Sequence, residues 1–469
     1  MTEGRRRVAV VGGGIAGLAA AFELSTTSTS DDPALSADVT LFESADRLGG
    51  RIDGSPFAGV EHVESGADAF LARVPDATEL ARQVGLADDL VSPEPVGAAV
   101  WYDGLHRIPE GLLLGLPGRL TPLAATKLLT WRGKLRAGIE PLLPRTSIAD
   151  DSIGRLVRAR FGDEVHERLV DALVGSIYAT DTDHFSLREV PQLYDVARQE
   201  RSLLLGARRR AGAGAATAAS SAGPNPIFAT PRGGISQLAG ATATAITDAG
   251  GSIRTGTPIG ALVADGEGWL IDDERFDAVI VATPARVAAT MIGDVAPSAA
   301  ALLGRAETAD VVMITLHVPA DEWPDRLTGL SGYLVPKPVQ RSVTAVSFGS
   351  QKWAHWKPPA GGEILRVSVG RDGTSPLARS DEAIVTEVLD DLRRHLGVGL
   401  TPLETRVTRW PGAFAQYRPH HQAWVTAIEK ALPAGLFVAG SSYRGIGIPA
   451  CVRDGRSTAR RAIAHLEPS

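Results

Sequence analysis

A run of glycines near the start of the chain has the residue types and spacing needed to hold a pyrophosphate. The segment Gly12-Gly13-Gly14-Ile15-Ala16-Gly17 follows the apolar run Val8–Val11 and precedes an alanine-rich stretch with helical spacing. Gly12 permits a tight turn out of a strand, Gly14 lets the backbone approach phosphates, and Gly17 lets a helix pack closely on the strand. Because free N–H groups at a helix start attract anions, the segment predicts a dinucleotide-binding turn.

An acidic residue follows at the end of the next strand. Glu43 comes directly after the apolar run Val39–Phe42, and its carboxylate can accept both hydroxyls of a ribose, whereas it would repel a 2′-phosphate. The interval from Gly17 exceeds the usual spacing of about 20 residues because a polar loop, Thr26–Asp38, is predicted in between. Strand, turn, helix, loop and strand make a βαβ unit. A glycine turn without a ligand is the alternative interpretation.

A second glycine-rich segment distinguishes between dinucleotides. Glu43-Ser44-Ala-Asp-Arg47-Leu-Gly49-Gly50-Arg51 places two glycines and two arginines after the acidic residue. Glycines let the chain curl against a ligand, and arginine offers a planar fork to phosphate oxygens. A nicotinamide dinucleotide needs no such segment. With this pattern the chain resembles the superfamily of FAD-dependent amine oxidases and protoporphyrinogen oxidases.

Later segments extend the resemblance over residues 6–466, with a loop at 207–226 unmatched. Pro231–Leu238, Ala278–Pro284 and Val438–Cys451 are similar to superfamily segments at a helix start, a strand end and the closing helix. Within the superfamily the chain resembles the coproporphyrinogen and protoporphyrinogen oxidases, particularly their soluble bacterial branch. Four segments carry that similarity: Val63–Arg73, Gly115–Gly118, Gly332–Pro336 and Tyr443–Ile448.

The resemblance implies a set of FAD contacts, which are Gly12, Gly13, Gly14, Ile15, Ala16, Gly17, Glu43, Ser44, Arg51, Gly66, Ala67, Asp68, Ala69, Ile259, Trp410, Ile446, Gly447 and Ile448. On the substrate side it implies that Leu334 lines the porphyrinogen ring and that Ser368 lies on a pocket strand, with ordinary sheet packing as the alternative for both. The chain departs from the family pattern at Ala67, where proline is frequent, and at Val74, where the soluble branch often has a lysine near the propionates.

The FAD is expected to be non-covalent. Cys451 could link a flavin, but it follows Pro449 at a helix start, which favours a buried structural thiol. Two tryptophans, Trp353 and Trp356, could form a stacking cage around His355, although covering a sheet edge is the favoured interpretation. No metal site and no catalytic side chain are assigned, because the flavin carries the electron chemistry.

The function implied by the resemblance is the oxidation of coproporphyrinogen III to coproporphyrin III in heme biosynthesis. Six hydrogens leave the macrocycle, dioxygen is consumed and hydrogen peroxide is released. A coproporphyrin ferrochelatase would then take the product. The alternatives are protoporphyrinogen IX as the physiological substrate, an amine oxidase or carotenoid desaturase of the same fold, or a flavin-free binding protein similar to GDP-dissociation inhibitors.

These motifs require an α/β fold assembled from separated segments. We expect a discontinuous Rossmann-like FAD-binding domain (1–72, 225–300 and 405–469), an antiparallel-sheet substrate domain (73–110 and 301–404) and a helical insertion domain (111–224). Strands are predicted at 311–318, 343–348 and 364–369, a helix at 381–396 and a flexible loop at 207–226.

Composition limits the class of partner. The chain has 469 residues, of which 44% are hydrophobic, and a formal net charge of −6, which argues against binding nucleic acid. A single cysteine excludes a disulfide framework and a cysteine-cluster metal site. No stretch of about 18 apolar residues is present, so we expect a soluble, cytoplasmic protein. The amphipathic segment Thr126–Leu143 could touch a membrane surface, although a channel-lining or core-facing helix is the favoured interpretation.

Overall fold

The computed structural model describes residues 6–27, 37–210 and 226–467. Within them the strands are, in chain order, β1 (Arg6–Val11), β2 (Ala37–Phe42), β3 (Gly54–Phe57), β4 (Val60–Glu64), β5 (Phe70–Leu71), β6 (Leu90–Val91), β7 (Gly97–Trp101), β8 (Leu105–Arg107), β9 (Leu112–Leu113), β10 (Leu116–Pro117), β11 (Phe228–Pro231), β12 (Ser252–Arg254), β13 (Val263–Asp265), β14 (Gly268–Ile271), β15 (Glu274–Phe276), β16 (Ala278–Val281), β17 (Thr308–Val318), β18 (Leu330–Leu334), β19 (Val343–Phe348), β20 (Glu363–Val369), β21 (Glu404–Ala415) and β22 (Leu436–Val438).

The helices of the same residues are α1 (Ile15–Thr27), α2 (Pro75–Gln83), α3 (Leu120–Ala125), α4 (Trp131–Gly138), α5 (Ile153–Phe161), α6 (Asp163–Val165), α7 (Ser176–Tyr178), α8 (Pro191–Gln199), α9 (residues 203–210), α10 (Ser236–Asp248), α11 (Ala285–Met291), α12 (Pro297–Leu303), α13 (Gly349–Lys352), α14 (Asp381–Leu396), α15 (His421–Ala431) and α16 (Ile448–Leu466). A π-helix, His166–Gly175, joins α6 to α7. None of these helices combines the length and apolar character that crossing a bilayer requires.

A five-stranded parallel sheet brings together three distant parts of the chain. Its order is β12-β2-β1-β16-β22, and Val8 on β1 aligns with Val39 on one side and Ala278 on the other. Helices α1, α10 and α16 cover one face, and α11, α12 and α15 cover the other. Strands buried on both faces need continuous apolar runs, as in Val8–Val11 and Ala278–Val281. The predicted α/β fold with a discontinuous dinucleotide-binding sheet is confirmed.

A seven-stranded sheet forms the second layer, in the order β21-β17-β20-β19-β18-β7-β8. Every neighbouring pair is antiparallel except β18 with β7. Helix α14 packs one apolar stripe, which includes Ile384, Val388 and Leu392, against the core of this sheet. Strand β19 and helix α14 have the predicted bounds, because alternating and helix-spaced apolar residues are local signals.

The helical region from α3 to α9 buries a core of its own, to which Leu156, Phe161, Leu169 and Phe185 contribute. The predicted flexible loop at 207–226 is wrong at its start, since residues 207–210 belong to α9 and Ala207 is buried in this core. Residues 211–225 lie outside the described part. The predicted loop between β1 and β2 likewise falls on residues 28–36, which are not described, with helix and strand reaching its two ends.

Helix α2 packs with the helices of the parallel sheet, although the sequence analysis predicts it in a different domain. Its Ala77, Leu80 and Ala81 lie in the hydrophobic cluster of α1 and α16. The sequence analysis predicts that residues 73–110 belong to the substrate domain. Their first helix, α2, nevertheless packs on the side of the parallel sheet that α1 and α16 cover. The boundaries themselves stay a prediction.

Candidate active site

The glycine turn is shaped by contacts that exclude side chains. Gly12 has φ +114°, and a Cβ there would lie 2.7 Å from the carbonyl oxygen of Ala282. A Cβ at Gly17 would lie 1.9 Å from the carbonyl oxygen of Gly12. At Gly14, in contrast, a Cβ would meet nothing within 4 Å. The turn is therefore closed toward the sheet and open in front of Gly14, next to the first N–H groups of α1, which have no partner within the helix.

Glu43 lies beside this opening. One carboxylate oxygen accepts a hydrogen bond from the Gly13 N–H at 2.6 Å, and the other accepts from the Ala45 N–H at 2.9 Å and the Ser44 hydroxyl at 3.1 Å. The backbone thus fixes the carboxylate against the start of α1. An open glycine turn, free helix N–H groups and an adjacent fixed acceptor fit the pyrophosphate and ribose of a dinucleotide.

The second glycine segment connects the predicted contacts to one another. The Gly49 N–H donates to the Gly13 carbonyl at 2.9 Å. Arg51 donates from one terminal nitrogen to the Ser441 hydroxyl at 3.1 Å and from the other to the Gly412 carbonyl. A Cβ at Gly66 would lie 2.0 Å from the Arg51 carbonyl oxygen. The segment therefore places the glycine turn, the 66–69 loop and the segment before α16 side by side.

The closing helix starts without a side-chain cap. Gly447 is the N-cap residue, and Ile448 behind it is buried. The Tyr417 hydroxyl holds the preceding loop, since it donates to the Ser441 carbonyl at 2.6 Å and accepts from the Gly445 N–H at 3.0 Å. The N-terminus of a helix of 19 residues, without a side chain on its free N–H groups, favours an anionic group.

Cys451 lies inside the first turn of this helix. Its thiol is buried and points at the carbonyls of Gly445 and Ile446, at 3.6 and 3.8 Å. Burial raises the pKa of the Cys451 thiol to about 12. Since the thiolate is the reactive form, the environment keeps this sulfur unreactive.

A cavity of about 380 Å³ separates the 66–69 loop from the seven-stranded sheet and the end of the π-helix. Its described lining comprises Gly66, Asp68, Gly175, Ser176, Ile177, Ala179, Val311, Met313, Thr344, Ala345, Ser347, Lys352, Arg366, Ser368, Gly370, Arg371 and Phe414. Gly66, Asp68 and Ser368 were predicted site residues. Leu334 is half-buried on β18 and is not among the residues that line this cavity.

Three further predicted contacts, Trp410, Ile446 and Ile259, are not among the residues that line this cavity. Trp410 on β21 donates from its indole N–H to the Ser65 carbonyl at 2.9 Å, directly before the 66–69 loop. Ile446 packs against the helical core. Ile259 is half-buried against α11, α12 and α15 on the far face of the parallel sheet. That each of these residues touches the cofactor stays a prediction.

Asp68 is held by two cations that the sequence interpretation missed. Its carboxylate accepts from the Lys352 ammonium at 2.8 Å and the Trp353 indole at 3.1 Å, and the Arg366 guanidinium lies at 3.6 Å. Burial by itself would raise the pKa of Asp68, but Lys352 and Arg366 outweigh it and keep the pKa well below its usual value. A charged residue inside the apolar strand Ile364–Val369 was the available signal for Arg366.

The two tryptophans near Lys352 lie in a small hydrophobic core behind the cavity wall. Trp353 and Trp356 are fully buried, in a small core with Phe57 and Val63. They fill the space between β4 and β20, and that they cover a sheet edge stays a prediction. Through its bond to Asp68, Trp353 supports the cavity wall from behind.

The opposite wall depends on a buried ion pair. Asp171 of the π-helix accepts from the backbone N–H and hydroxyl of Thr182 at 3.2 and 2.7 Å and pairs with Arg371 at 3.2 Å. Arg371 also donates to the Thr180 carbonyl. Ala179, next to these residues, has φ +47°, a strained backbone conformation for a residue with a Cβ. These contacts fix the chain that lines the cavity.

This fold and site define a class of protein. A parallel sheet with a glycine turn and a fixed acceptor for ribose, joined across a cavity to a second sheet, is the arrangement of a dinucleotide-dependent oxidoreductase of the flavoenzyme type. The sequence profile of the family described as flavin containing amine oxidoreductase matches residues 15–463. The chain belongs to this family, and the predicted flavin-dependent oxidoreductase is confirmed.

Several relatives are similar along their whole length. The chain is 31% identical to a coproporphyrinogen III oxidase of Bacillus subtilis (strain 168), over 99% of this chain and 100% of that protein. It is 29% identical to a coproporphyrinogen III oxidase of Staphylococcus aureus, over 98% and 100% of the two chains. Human protoporphyrinogen oxidase is 29% identical, over 97% and 98%. The resemblance inferred from the sequence segments is confirmed.

Solved structures of other proteins are similar to the structure of this chain. A crystal structure of a proposed protoporphyrinogen oxidase from Exiguobacterium sp. 255-15 superposes with a TM-score of 0.83 at 27% identity, over 98% of this chain and 99% of that one. A cyclohexylamine oxidase from Brevibacterium oxydans IH-35A gives a TM-score of 0.65 at 18% identity, over 99% and 100% of the two chains. The second likeness concerns the fold alone.

Proposed function

We propose that this chain catalyses the FAD-dependent, oxygen-consuming oxidation of coproporphyrinogen III to coproporphyrin III in heme biosynthesis. The similarity to the Bacillus subtilis coproporphyrinogen III oxidase, which spans 99% of this chain and 100% of that protein, carries the proposal. Six hydrogens leave the macrocycle, three molecules of dioxygen accept them, and three molecules of hydrogen peroxide are released. A coproporphyrin ferrochelatase is the proposed consumer of the product.

The cofactor that we propose is FAD, bound without a covalent link. The glycine turn, Glu43 and the start of α16 would hold its pyrophosphate, ribose and flavin ends. When bound, FAD supplies the redox chemistry by accepting hydride from the substrate and returning electrons to dioxygen. The buried, protonated thiol of Cys451 supports a non-covalent cofactor.

The cavity supports an anionic, largely apolar substrate. Its charged lining consists of Lys352, Arg366 and Arg371 against one carboxylate, Asp68. Apolar side chains such as Ile177 line the rest. Asp171 compensates Arg371 from behind the wall, so the lining carries an excess of one cation. That charge favours the propionates of a porphyrinogen, and the apolar wall suits its ring.

The same lining disfavours an amine substrate. An ammonium ion would meet net positive charge in the cavity, and Phe414 is the one aromatic side chain among its described lining residues. The Trp410 indole N–H donates to the Ser65 carbonyl, and Tyr443 is buried on the other side of the parallel sheet, where it stacks on Trp424. Trp410 and Tyr443 therefore do not form an aromatic cage.

The test is an aerobic fluorescence assay on purified holoprotein. Coproporphyrinogen III and protoporphyrinogen IX are supplied separately, with free FAD alone as the control for spontaneous oxidation. Porphyrin formation, oxygen uptake and peroxide release should be faster with coproporphyrinogen III. Faster turnover of protoporphyrinogen IX would favour the second candidate, which the human relative suggests. A flavoprotein that oxidises neither substrate would overturn the proposal. Acid precipitation should release all the FAD into the supernatant.

A further inference from the structure

Lys352 and two neighbours form a charged cluster at the end of the cavity that the 66–69 loop lines. The Lys352 ammonium donates to the Asp68 carboxylate at 2.8 Å, and the Arg366 guanidinium lies 3.6 Å from the same carboxylate oxygen. All three residues line the cavity. We call them the Lys352 cluster. Two cations share one carboxylate in this cluster, so its formal charge is +1.

Other charged groups near the cavity do not balance this charge. Arg371, the remaining cation of the described lining, is already paired with Asp171 at 3.2 Å. Glu64 is close enough to the Lys352 cluster to interact with its charges, but burial raises the pKa of Glu64 to about 7, so its carboxyl group is only partly ionised near neutral pH. The Lys352 cluster therefore keeps a net positive charge.

Lys352 has hydrogen-bonding capacity that the described residues do not use. An ammonium group has three N–H donors, and Asp68 is the single acceptor for them within residues 6–27, 37–210 and 226–467. The Lys352 side chain is 21% exposed, whereas that of Arg366 is 6% exposed. Arg366 also donates to the Gly66 carbonyl. Arg366 is thus committed to the 66–69 loop, and Lys352 is the cation of the cluster that can reach a ligand.

The sheet beside the cluster carries small side chains. On β19 and β20, Ser347 is aligned with Arg366 and Ala345 is aligned with Ser368, and all four residues line the cavity. Because side chains on one face of a strand recur at every second residue, Arg366 and Ser368 lie on the same face of β20. The small side chains leave room for a broad ring that lies on the strands with one edge at the Lys352 cluster.

We propose that Lys352 binds a propionate carboxylate of the porphyrinogen, with Asp68 and Arg366 as the residues that position its ammonium group. The bound carboxylate brings the cluster to two cations and two carboxylates, so its charges balance. Hydrogen bonds between charged partners are about twice as strong as those between neutral groups. The inference rests on the proposed function, because it names a residue by which that site selects a carboxylated substrate.

The experiment compares coproporphyrinogen III with its tetramethyl ester, which has the same ring and no free carboxylates. Lys352→Gln removes the charge and keeps an N–H donor for Asp68. We expect its KM for coproporphyrinogen III to rise about tenfold to a hundredfold, and its KM for the ester to change less than about twofold, since only the acid loses a charged hydrogen bond. The kcat should change little with either substrate.

Binding of the product is measured as well, because it does not depend on turnover. Coproporphyrin III should bind the holoprotein of Lys352→Gln about tenfold to a hundredfold more weakly than wild type, as followed by quenching of porphyrin fluorescence. Coproporphyrin III tetramethyl ester should bind both proteins equally. Flavin content and melting temperature should be unchanged, since Asp68 keeps the bond from the Trp353 indole at 3.1 Å and its contact with Arg366.

Two further variants complete the design. Lys357→Gln is the matched control, because Lys357 is an exposed lysine outside the described cavity lining, and it should behave like the wild type in every assay. Lys352→Met, which also removes the charge, takes the place of Lys352→Gln if that protein is unstable, and the same selective loss of the acid is expected.

Equal losses of affinity for the acid and the ester would show that Lys352 only supports the cavity wall, and would overturn the inference. An unchanged affinity for coproporphyrin III would overturn it too, as would loss of flavin from Lys352→Gln, which would assign Lys352 to the cofactor site. A wild type that oxidises neither porphyrinogen would instead refute the proposed reaction. Product binding would then still decide whether Lys352 holds a carboxylate.

Discussion

Glu43 is anchored by backbone N–H groups before any ligand arrives. Both of its oxygens accept such bonds, from Gly13 and Ala45. A charged acceptor that is already fixed loses little entropy when a ribose hydroxyl donates to it.

We expect Glu43→Gln to weaken FAD binding about tenfold, because the amide has one acceptor oxygen and its NH₂ group opposes a backbone N–H. The measurement is titration of flavin-stripped protein with FAD, followed by fluorescence quenching. Glu267→Gln, at an exposed hairpin, is the control and should bind normally. Equal affinities for both variants would show that Glu43 does not contact the cofactor.

Glu64 has an unusual environment for a carboxylate. One oxygen accepts the Ile235 N–H at 2.7 Å, while the other is buried without a partner among the described residues. Burial raises the pKa of Glu64 to about 7, although the bond from Ile235 opposes the shift. The folded protein therefore holds a proton on Glu64 at pH values where the unfolded chain has released it.

This pKa shift makes stability fall as pH rises. Below about pH 4.3 Glu64 is protonated in both the folded and the unfolded chain, so it does not lower the free energy of unfolding. Between about pH 4.3 and 7 the unfolded chain alone loses its proton, and above 7 the full cost, on the order of 4 kcal/mol, applies. Glu64→Gln keeps the acceptor for Ile235, so we expect it to raise the melting temperature at pH 8 and not at pH 4.5. Glu61→Gln, with an exposed side chain, should show no pH-dependent difference. A pH-independent effect of Glu64→Gln would contradict this account.

At the scale of elements, the crossing of α1 and α16 packs the start of α1 against the middle of α16. Gly455 permits this close approach, since a Cβ there would lie 2.1 Å from the Ala16 carbonyl oxygen. Gly240 in α10 is the contrasting case, with nothing within 4 Å of its hypothetical Cβ.

We expect Gly455→Ala to lower the melting temperature by several degrees and to reduce flavin content, because the helices must separate. Gly240→Ala should instead stabilise the protein, by about 0.5–1 kcal/mol, because alanine loses less backbone entropy in a helix than glycine. Thermal melting with absorbance at flavin wavelengths checks both. If both variants behaved alike, close approach of α1 and α16 would not explain Gly455.

At the scale of the whole molecule, the ion pair of Asp171 and Arg371 connects the helical region to the seven-stranded sheet. Arg371 follows β20, Asp171 lies in the π-helix, and both are almost fully buried. Removing one partner leaves a buried charge uncompensated, which typically costs about 3–5 kcal/mol.

Arg371→Met should therefore be strongly destabilising, while the double variant Asp171→Asn/Arg371→Met should recover part of the loss. Melting temperatures of the single and double variants give the coupling. The exposed pair of Arg379 and Glu387 is the control, for which coupling of at most about 1 kcal/mol is expected. Strictly additive losses at Asp171 and Arg371 would contradict a direct interaction.

The sequence by itself determined individual elements and the class of protein. Spacing alone predicts the functions of Gly12, Gly17 and Glu43, because glycines in this order after a strand have few other functions. The bounds of β19 and α14 follow from local apolar periodicity. The segments around Arg51 and Ile446 identified the family for the same reason, since each is a short local pattern.

The tertiary structure decided which distant side chains meet and which faces stay exposed. Asp68 and Lys352 are 284 positions apart, and no local pattern encodes such a pairing, because it depends on how two sheets are juxtaposed. The α4 segment is amphipathic in sequence whether its apolar side meets a core or solvent. Only the packing of Gly133 and Ala137 against the helical region turned Trp131 outward, since periodicity defines a face but not what lies opposite it.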